Sequence, residues 1–113
     1  MFYEGVEVIE GVEQKEIISE DEAKELARLH SVLADPARIR ILSILKAYEG
    51  KICVTDIVKQ FSISQPTVSH HIRFLLDAGL INQRKQRLIH YYSINKEALA
   101  RAEKVIRSLI TEE

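Results

Sequence analysis

Ser64-Gln65-Pro66-Thr67-Val68-Ser69-His70-His71-Ile72-Arg73-Phe74-Leu75-Leu76-Asp77-Ala78-Gly79-Leu80 is the stretch that decides the fold. Ser64 can cap a helix running from Gln65 to Ala78, with Pro66 tolerated in the first turn. Val68, Ile72, Leu75, Leu76 and Gly79 recur at about 100° per residue, the period of a helix packed on one side. Gly79 then ends the helix. The stripe leaves Pro66, Thr67, Ser69, His70, Arg73 and Asp77 facing outward. Serine and threonine hydroxyls bond several base edges, arginine bonds guanine bidentately, and Gln65 in the first turn can reach adenine. Such a helix is about 21 Å long at about 1.5 Å per residue, and a major groove about 12 Å wide admits it. Its capped start also offers free N–H groups to a phosphate. Small polar residues gathered at a helix N-terminus are what DNA readers use; the plain alternative is a solvated amphipathic helix.

Upstream, Ser19-Glu20-Asp21-Glu22 reads as a capping box, followed by a helix with Ala23, Leu26, Ala27, His30 and Leu33 on one stripe. His30 is expected there as a partly buried packing residue. Asp35-Pro36 starts a second helix, whose Ile39, Ile41, Leu42, Ile44 and Leu45 predict burial on more than one side. Glu49-Gly50-Lys51 ends it. Ile52-Cys53-Val54 is expected as a brief strand, and Thr55 as the cap of a short helix through about Phe61, with Ile57 and Val58 inward. Ser62-Ile63-Ser64 is a tight connection into the deciding helix.

Downstream, Leu80–Gln83 and Leu88–Ile94 read as two strands joined by a charged tip, Arg84-Lys85-Gln86-Arg87. In a winged helix such a tip lies along the DNA backbone or in the minor groove; basic residues also keep a plain edge soluble. Asn95 can cap a last helix in which Leu99, Ala102, Ile106 and Leu109, spaced three, four and three apart, form a seam for another helix. The predicted fold is mainly α, a winged helix-turn-helix in the order α-α-β-α-α-β-β-α. Residues 1–18 are set apart as an acidic arm, and residues 19–113 as the winged-helix domain carrying the dimerisation helices.

Charge points the same way. The net charge of the 113 residues is −1, yet residues 1–35 carry three basic and ten acidic side chains, and residues 36–94 carry nine basic and three acidic. A middle segment at +6 suits an anionic partner, nucleic acid above all. No run of about 18 apolar residues occurs, so no membrane partner is expected. Met1-Phe2-Tyr3-Glu4 lacks the basic start of a leader, which with a single cysteine predicts a reducing cytoplasm.

Leu33-Ala34-Asp35-Pro36-Ala37-Arg38-Ile39-Arg40-Ile41-Leu42, Ser64-Gln65-Pro66-Thr67-Val68-Ser69-His70-His71, Ala78-Gly79-Leu80-Ile81 and His90-Tyr91-Tyr92-Ser93-Ile94 together resemble the ArsR/SmtB family of prokaryotic winged-helix repressors over about residues 20–110. The resemblance implies a homodimer paired through the first and last helices, drawing on Leu26, His30, Leu33, Leu99, Ala102, Ile106 and Leu109. It implies an operator-binding repressor, usually released by an inducer such as a metal ion. The DNA-contacting positions are then Ser64, Gln65, Thr67, Ser69, His70 and Arg73 on the helix, with Arg84, Lys85 and Arg87 on the wing.

The family's sensing positions are filled differently. Members with a thiolate site place two cysteines in the segment matching Ile52-Cys53-Val54-Thr55-Asp56; here Cys53 stands alone. Members that sense zinc through the last helix start it with Asp-x-His; here Asn95-Lys96-Glu97-Ala98 stands there, and near the end only Glu112 offers a ligand. Arg87 stands where the wing commonly has glycine. His70 and His71 point about 100° apart and do not converge on one ion. No cofactor, no metal site on the usual positions and no catalytic constellation is therefore expected, and an enzyme is not. Two alternatives accompany the repressor: a winged helix that binds protein, and a one-cysteine redox-responsive repressor. Cys53 precedes a short helix whose positive end favours a thiolate; as a plain core residue it is a small buried hydrophobe.

Overall fold

The computed structural model describes residues 16–111. Five helices and one hairpin follow in the order α1 (Glu20–Leu33), α2 (Pro36–Ala47), α3 (Val54–Val58), α4 (Gln65–Asp77), β1 (Ile81–Gln86), β2 (Ile89–Ile94) and α5 (Lys96–Ser108). The winged helix-turn-helix is thus formed. The acidic arm lies outside the described residues through position 15, and Glu112 lies outside them too.

The helix starts are where the capping chemistry puts them. Ser19 Oγ accepts from the Glu22 backbone N–H at 3.1 Å while Glu22 reaches back to the Ser19 N–H, a reciprocal box. Asp35 accepts from the Ala37 N–H at 2.8 Å with Pro36 behind it, Ser64 from Thr67, and Asn95 from Ala98. Each satisfies a donor that the first helical turn leaves without a partner. α4 carries Val68, Ile72 and Leu75 into the core, where they meet Ile41 and Leu45 of α2 and Ile57 of α3. Fully burying aliphatic side chains of this size contributes about 1.5–3 kcal/mol each.

β1 and β2 pair antiparallel, with Gln83 opposite Tyr92 and Gln86 opposite Ile89. Only Ile81 of β1 is buried, and Tyr92 carries the β2 side of that contact. The brief strand expected at Ile52-Cys53-Val54 does not form. Val54 already belongs to α3, so the segment offers the β2 edge a single backbone bond, from the Tyr92 N–H to the Ile52 carbonyl at 3.2 Å. The element order is accordingly α-α-α-α-β-β-α. The cap of α3 is Cys53, not Thr55, and it makes no side-chain cap bond; the helix also stops at Val58 rather than near Phe61, with Lys59–Phe61 closed as turns.

Three apolar faces are only partly covered within the single chain. In α1 the side chain buried within the chain is Leu29, while Ala23, Ala27 and His30 are exposed. His30 is not a packing residue in the single chain; its Nδ1–H reaches the Leu26 carbonyl at 2.9 Å along its own helix. In α2, Ile41 and Leu45 are buried and Leu42 and Ile44 half-buried, while Ile39 stays 52% exposed. In α5 the buried residue is Ala98; Leu99 and Ala102 are half-buried, Ile106 is 39% exposed, and Leu109, 63% exposed, caps the helix rather than extending it.

Candidate nucleic-acid interface

The helix-turn-helix places α3 behind α4 and leaves the outer side of α4 open. Gln65, Thr67, Ser69, His70 and Arg73 are all exposed, as is the cap Ser64. Ser64 Oγ and Thr67 Oγ1 lie 3.0 Å apart, so the cap also orders the first polar turn. His70 and His71 diverge as their spacing requires, with ring centroids 6.5 Å apart. His70 rests edge-on against Phe74 at 4.8 Å, on the outward side. His71 turns inward; its side chain is 12% exposed and its Nδ1 accepts from Arg38 Nε at 3.3 Å. Asp35 Oδ2 lies 4.0 Å from the same Nδ1, beyond hydrogen-bond reach.

Arg38 was legible from sequence only as part of a family-like string. In the fold its guanidinium makes three ties. Nε donates to His71, Nη1 donates to the Val32 carbonyl at 3.1 Å, and the group stacks over the Phe74 ring at 4.3 Å. Phe74 is likewise a site residue that periodicity alone does not find.

The wing differs in detail from the charged tip expected at residues 84–87. Because Gln86 pairs with Ile89, the strands run longer and the turn shrinks to Arg87-Leu88. Arg84 and Lys85 lie within β1, and side chains alternate across a strand, so they face opposite sides. Arg84 shares its face with Tyr91, over whose ring it sits at 4.9 Å, and donates to Gln86 Oε1 at 3.0 Å. Lys85 shares the other face with His90, which Gln83 Nε2 bonds at 2.8 Å through Nδ1. Arg87 takes a φ of +60°, the left-handed region that favours glycine at this turn.

The Tyr92 phenol is pushed above its ordinary pKa of 10.0, first by burial; the Arg73 charge pulls it partly back, and Cys53 pushes it up. Cys53 itself is half-buried and donates Sγ–H to Asp56 Oδ2 at 3.3 Å. Among the described residues no three histidine, cysteine, aspartate or glutamate side chains converge as a cation site.

Comparison with known proteins settles the family. The profile described as "Bacterial regulatory protein, arsR family" matches residues 35–83, the segment from the start of α2 into the wing. The arsenical resistance operon repressor of Staphylococcus xylosus is 42% identical over 76 residues, which span 67% of this chain and 71% of that one. The chain belongs to the ArsR/SmtB family. A homologue of the transcriptional repressor SmtB from Synechocystis is 37% identical over 81 residues, 72% of this chain and 60% of its own. Among solved structures, an ArsR family transcriptional regulator superposes with a TM-score of 0.67 at 30% identity, covering 77% of this chain and 88% of that one. Reduced HlyU from Vibrio cholerae gives 0.62 at 25%, covering 81% and 96%. As an ArsR-family protein the chain is a DNA-binding transcription regulator, not an enzyme. No helix among its described residues is long and apolar enough to cross a membrane.

Proposed function

We propose that this chain is a cytoplasmic repressor that binds an inverted-repeat operator as a homodimer, reading bases with α4 and gripping the backbone or minor groove with its wing. The observation that carries the reading is the exposed polar side of α4, Gln65, Thr67, Ser69, His70 and Arg73, backed by a packed inner face. Base contacts from these residues supply specificity, while Arg84, Lys85 and Arg87 supply phosphate contacts. Their opposite directions on the hairpin suit a wing lying between two phosphate rows rather than a single basic tip.

A dimer through α1 and α5 is supported by what one chain leaves uncovered. Leu26, Leu29, Ala102 and Val105 line a groove of about 340 Å³ between those helices, and Ile106 and Leu109 near the end of α5 are exposed. His30 and Leu33 lie on the same helix as Leu26. A two-fold dimer sets its recognition helices one DNA turn apart, about 34–36 Å, so the operator is an inverted repeat. The inducer does not act through a transition metal at the family's usual positions, since those positions here hold one cysteine and the Asn95–Ala98 turn.

The test is a gel-shift series on the DNA upstream of the chain's own gene, with sedimentation at the same concentrations. Arg73→Ala is expected to weaken binding by about 1–3 kcal/mol and relax preference at one base position. Ile106→Glu is expected to give monomers that bind poorly. Tight palindrome binding by a monomeric wild type would sink the dimer; unchanged binding by Arg73→Ala would sink the role of α4.

A further inference from the structure

We propose that Arg38 is a positioning residue for DNA binding: it clamps the recognition helix α4 against the C-terminal end of α1. This rests on α4 being the reader, as proposed above. The argument starts from an unpaired group. The last carbonyls of a helix have no partner within it, and Val32 stands in the last turn of α1. Arg38 Nη1 donates to that carbonyl at 3.1 Å. The same guanidinium reaches α4 twice, through Nε to His71 at 3.3 Å and through its face to the Phe74 ring at 4.3 Å.

His71 and Phe74 are three apart, hence one turn apart on the flank of α4 between its buried and outward sides. Gripping two points one turn apart resists both sliding and rolling of the helix. Phe74 also holds His70 edge-on at 4.8 Å, so the clamp ends on a side chain of the exposed reading face. Arg38 itself is half-buried under these contacts, which favours stiff geometry over a phosphate-seeking side chain. A planar fork with a fixed donor pattern suits the task; lysine, a point charge on a flexible stem, does not replace it. Through α1, the clamp ties the angle of α4 to the helix that the dimer reading places at the subunit interface. It thereby sets the spacing of half-sites the protein accepts.

The experiment uses the full chain in a Cys53→Ser background. Spin labels on Lys24→Cys in α1 and Asp77→Cys in α4, in labelled chains diluted with unlabelled ones, report the α1–α4 distance within one chain whatever the oligomeric state. Operators with spacers changed by one base pair report spacing preference. Arg38→Met is expected to broaden the distance distribution, flatten the discrimination between spacers, and weaken binding about tenfold, the scale of one hydrogen bond to a charged group. The salt slope stays unchanged, because no phosphate contact is lost. Arg38→Lys does not restore the behaviour. Should Arg38→Met fail to fold, His71→Leu takes its place, with His71→Gln, which keeps an acceptor, as its rescue. An unchanged distance distribution overturns the proposal, as does a broadened one with unaltered affinity and spacing. A salt slope lowered by about one unit also overturns it, since Arg38 would then be a phosphate contact. Failure of the α4 reading shows separately, as Ser69→Ala and Arg73→Ala variants that bind normally.

Discussion

Gly50 and Gly79 both adopt a φ of +75°, but a methyl group added at each meets different surroundings. At Gly79 nothing lies within 4 Å of the new Cβ. At Gly50 the Cβ would stand 2.9 Å from Ser93 Cβ in β2, too close for two carbon atoms. The left-handed conformation costs a non-glycine residue about 1–2 kcal/mol, and the stiffer unfolded chain returns about 0.4–1 kcal/mol of that. Gly79→Ala should therefore lose about 1 kcal/mol. Gly50→Ala carries the same strain plus an overpacking cost of about 1–3 kcal/mol, because Ser93 is held by the strand and cannot swing away. Its total is about 2–4 kcal/mol, large against the about 5–15 kcal/mol stability of ordinary domains. Urea unfolding followed by circular dichroism, at one fixed protein concentration, reads both values. Ser93→Gly combined with Gly50→Ala should recover the steric part and leave the strain. Equal losses for the two single variants would refute the steric argument, and with it the close seating of the α2 end against the wing.

The Tyr92 phenol titrates above its ordinary value because it is buried. Below about pH 10 both folded and unfolded states hold the proton; above it the unfolded state releases first, so stability falls as pH rises. Tyr92→Phe should flatten the melting-temperature decline on the alkaline side, and an identical decline in both proteins would remove burial as its cause. Replacing Arg84, Lys85 and Arg87 together by glutamine should flatten the salt dependence of operator binding by about one unit per true phosphate contact, with base preference kept; an unaltered slope and affinity would take the wing off the DNA. Cys53→Ser should leave gel shifts with zinc, arsenite, peroxide and reductant as in wild type, because Cys53 is half-buried and the chain holds no second cysteine to complete a thiolate site. A response present only in wild type would make Cys53 the sensor, and tight stoichiometric zinc binding by the variant would show a metal site elsewhere.

The elements that sequence reading places well are those whose ends are chemically marked. Ser19 with Glu22, Asp35 with Pro36, Ser64 and Asn95 each start a helix where predicted, because a cap is a contact within three residues and needs no partner from afar. The outward face of α4 was legible for a related reason, as the complement of a clear apolar stripe. What failed depended on distant neighbours. Ile52-Cys53-Val54 has strand composition, but forming a strand takes a ladder, and β2 offers it one bond. The turn of the wing moved to Arg87-Leu88 since the register of Gln86 against Ile89 is set by the whole hairpin, not by the basic run.

The same distinction explains the faces of α1 and α5. Periodicity finds an apolar stripe without saying whether it packs inside the chain or against another copy. In α1 the chain's own core takes Leu29, and in α5 it takes Ala98, leaving Ala27, Ile106 and Leu109 in contact with solvent. A chain of this length buries a smaller fraction of its surface than a large domain does, so surplus apolar residues on two adjacent helices are costly unless association covers them. Arg38 shows the reverse case. A cation three residues after a cap reads as surface charge, yet its three ties to Val32, His71 and Phe74 bridge α1 and α4. An inward-facing His71 beside an outward-facing His70 follows from that bridge, because adjacent helix residues point about 100° apart and only one of the two can be held from behind.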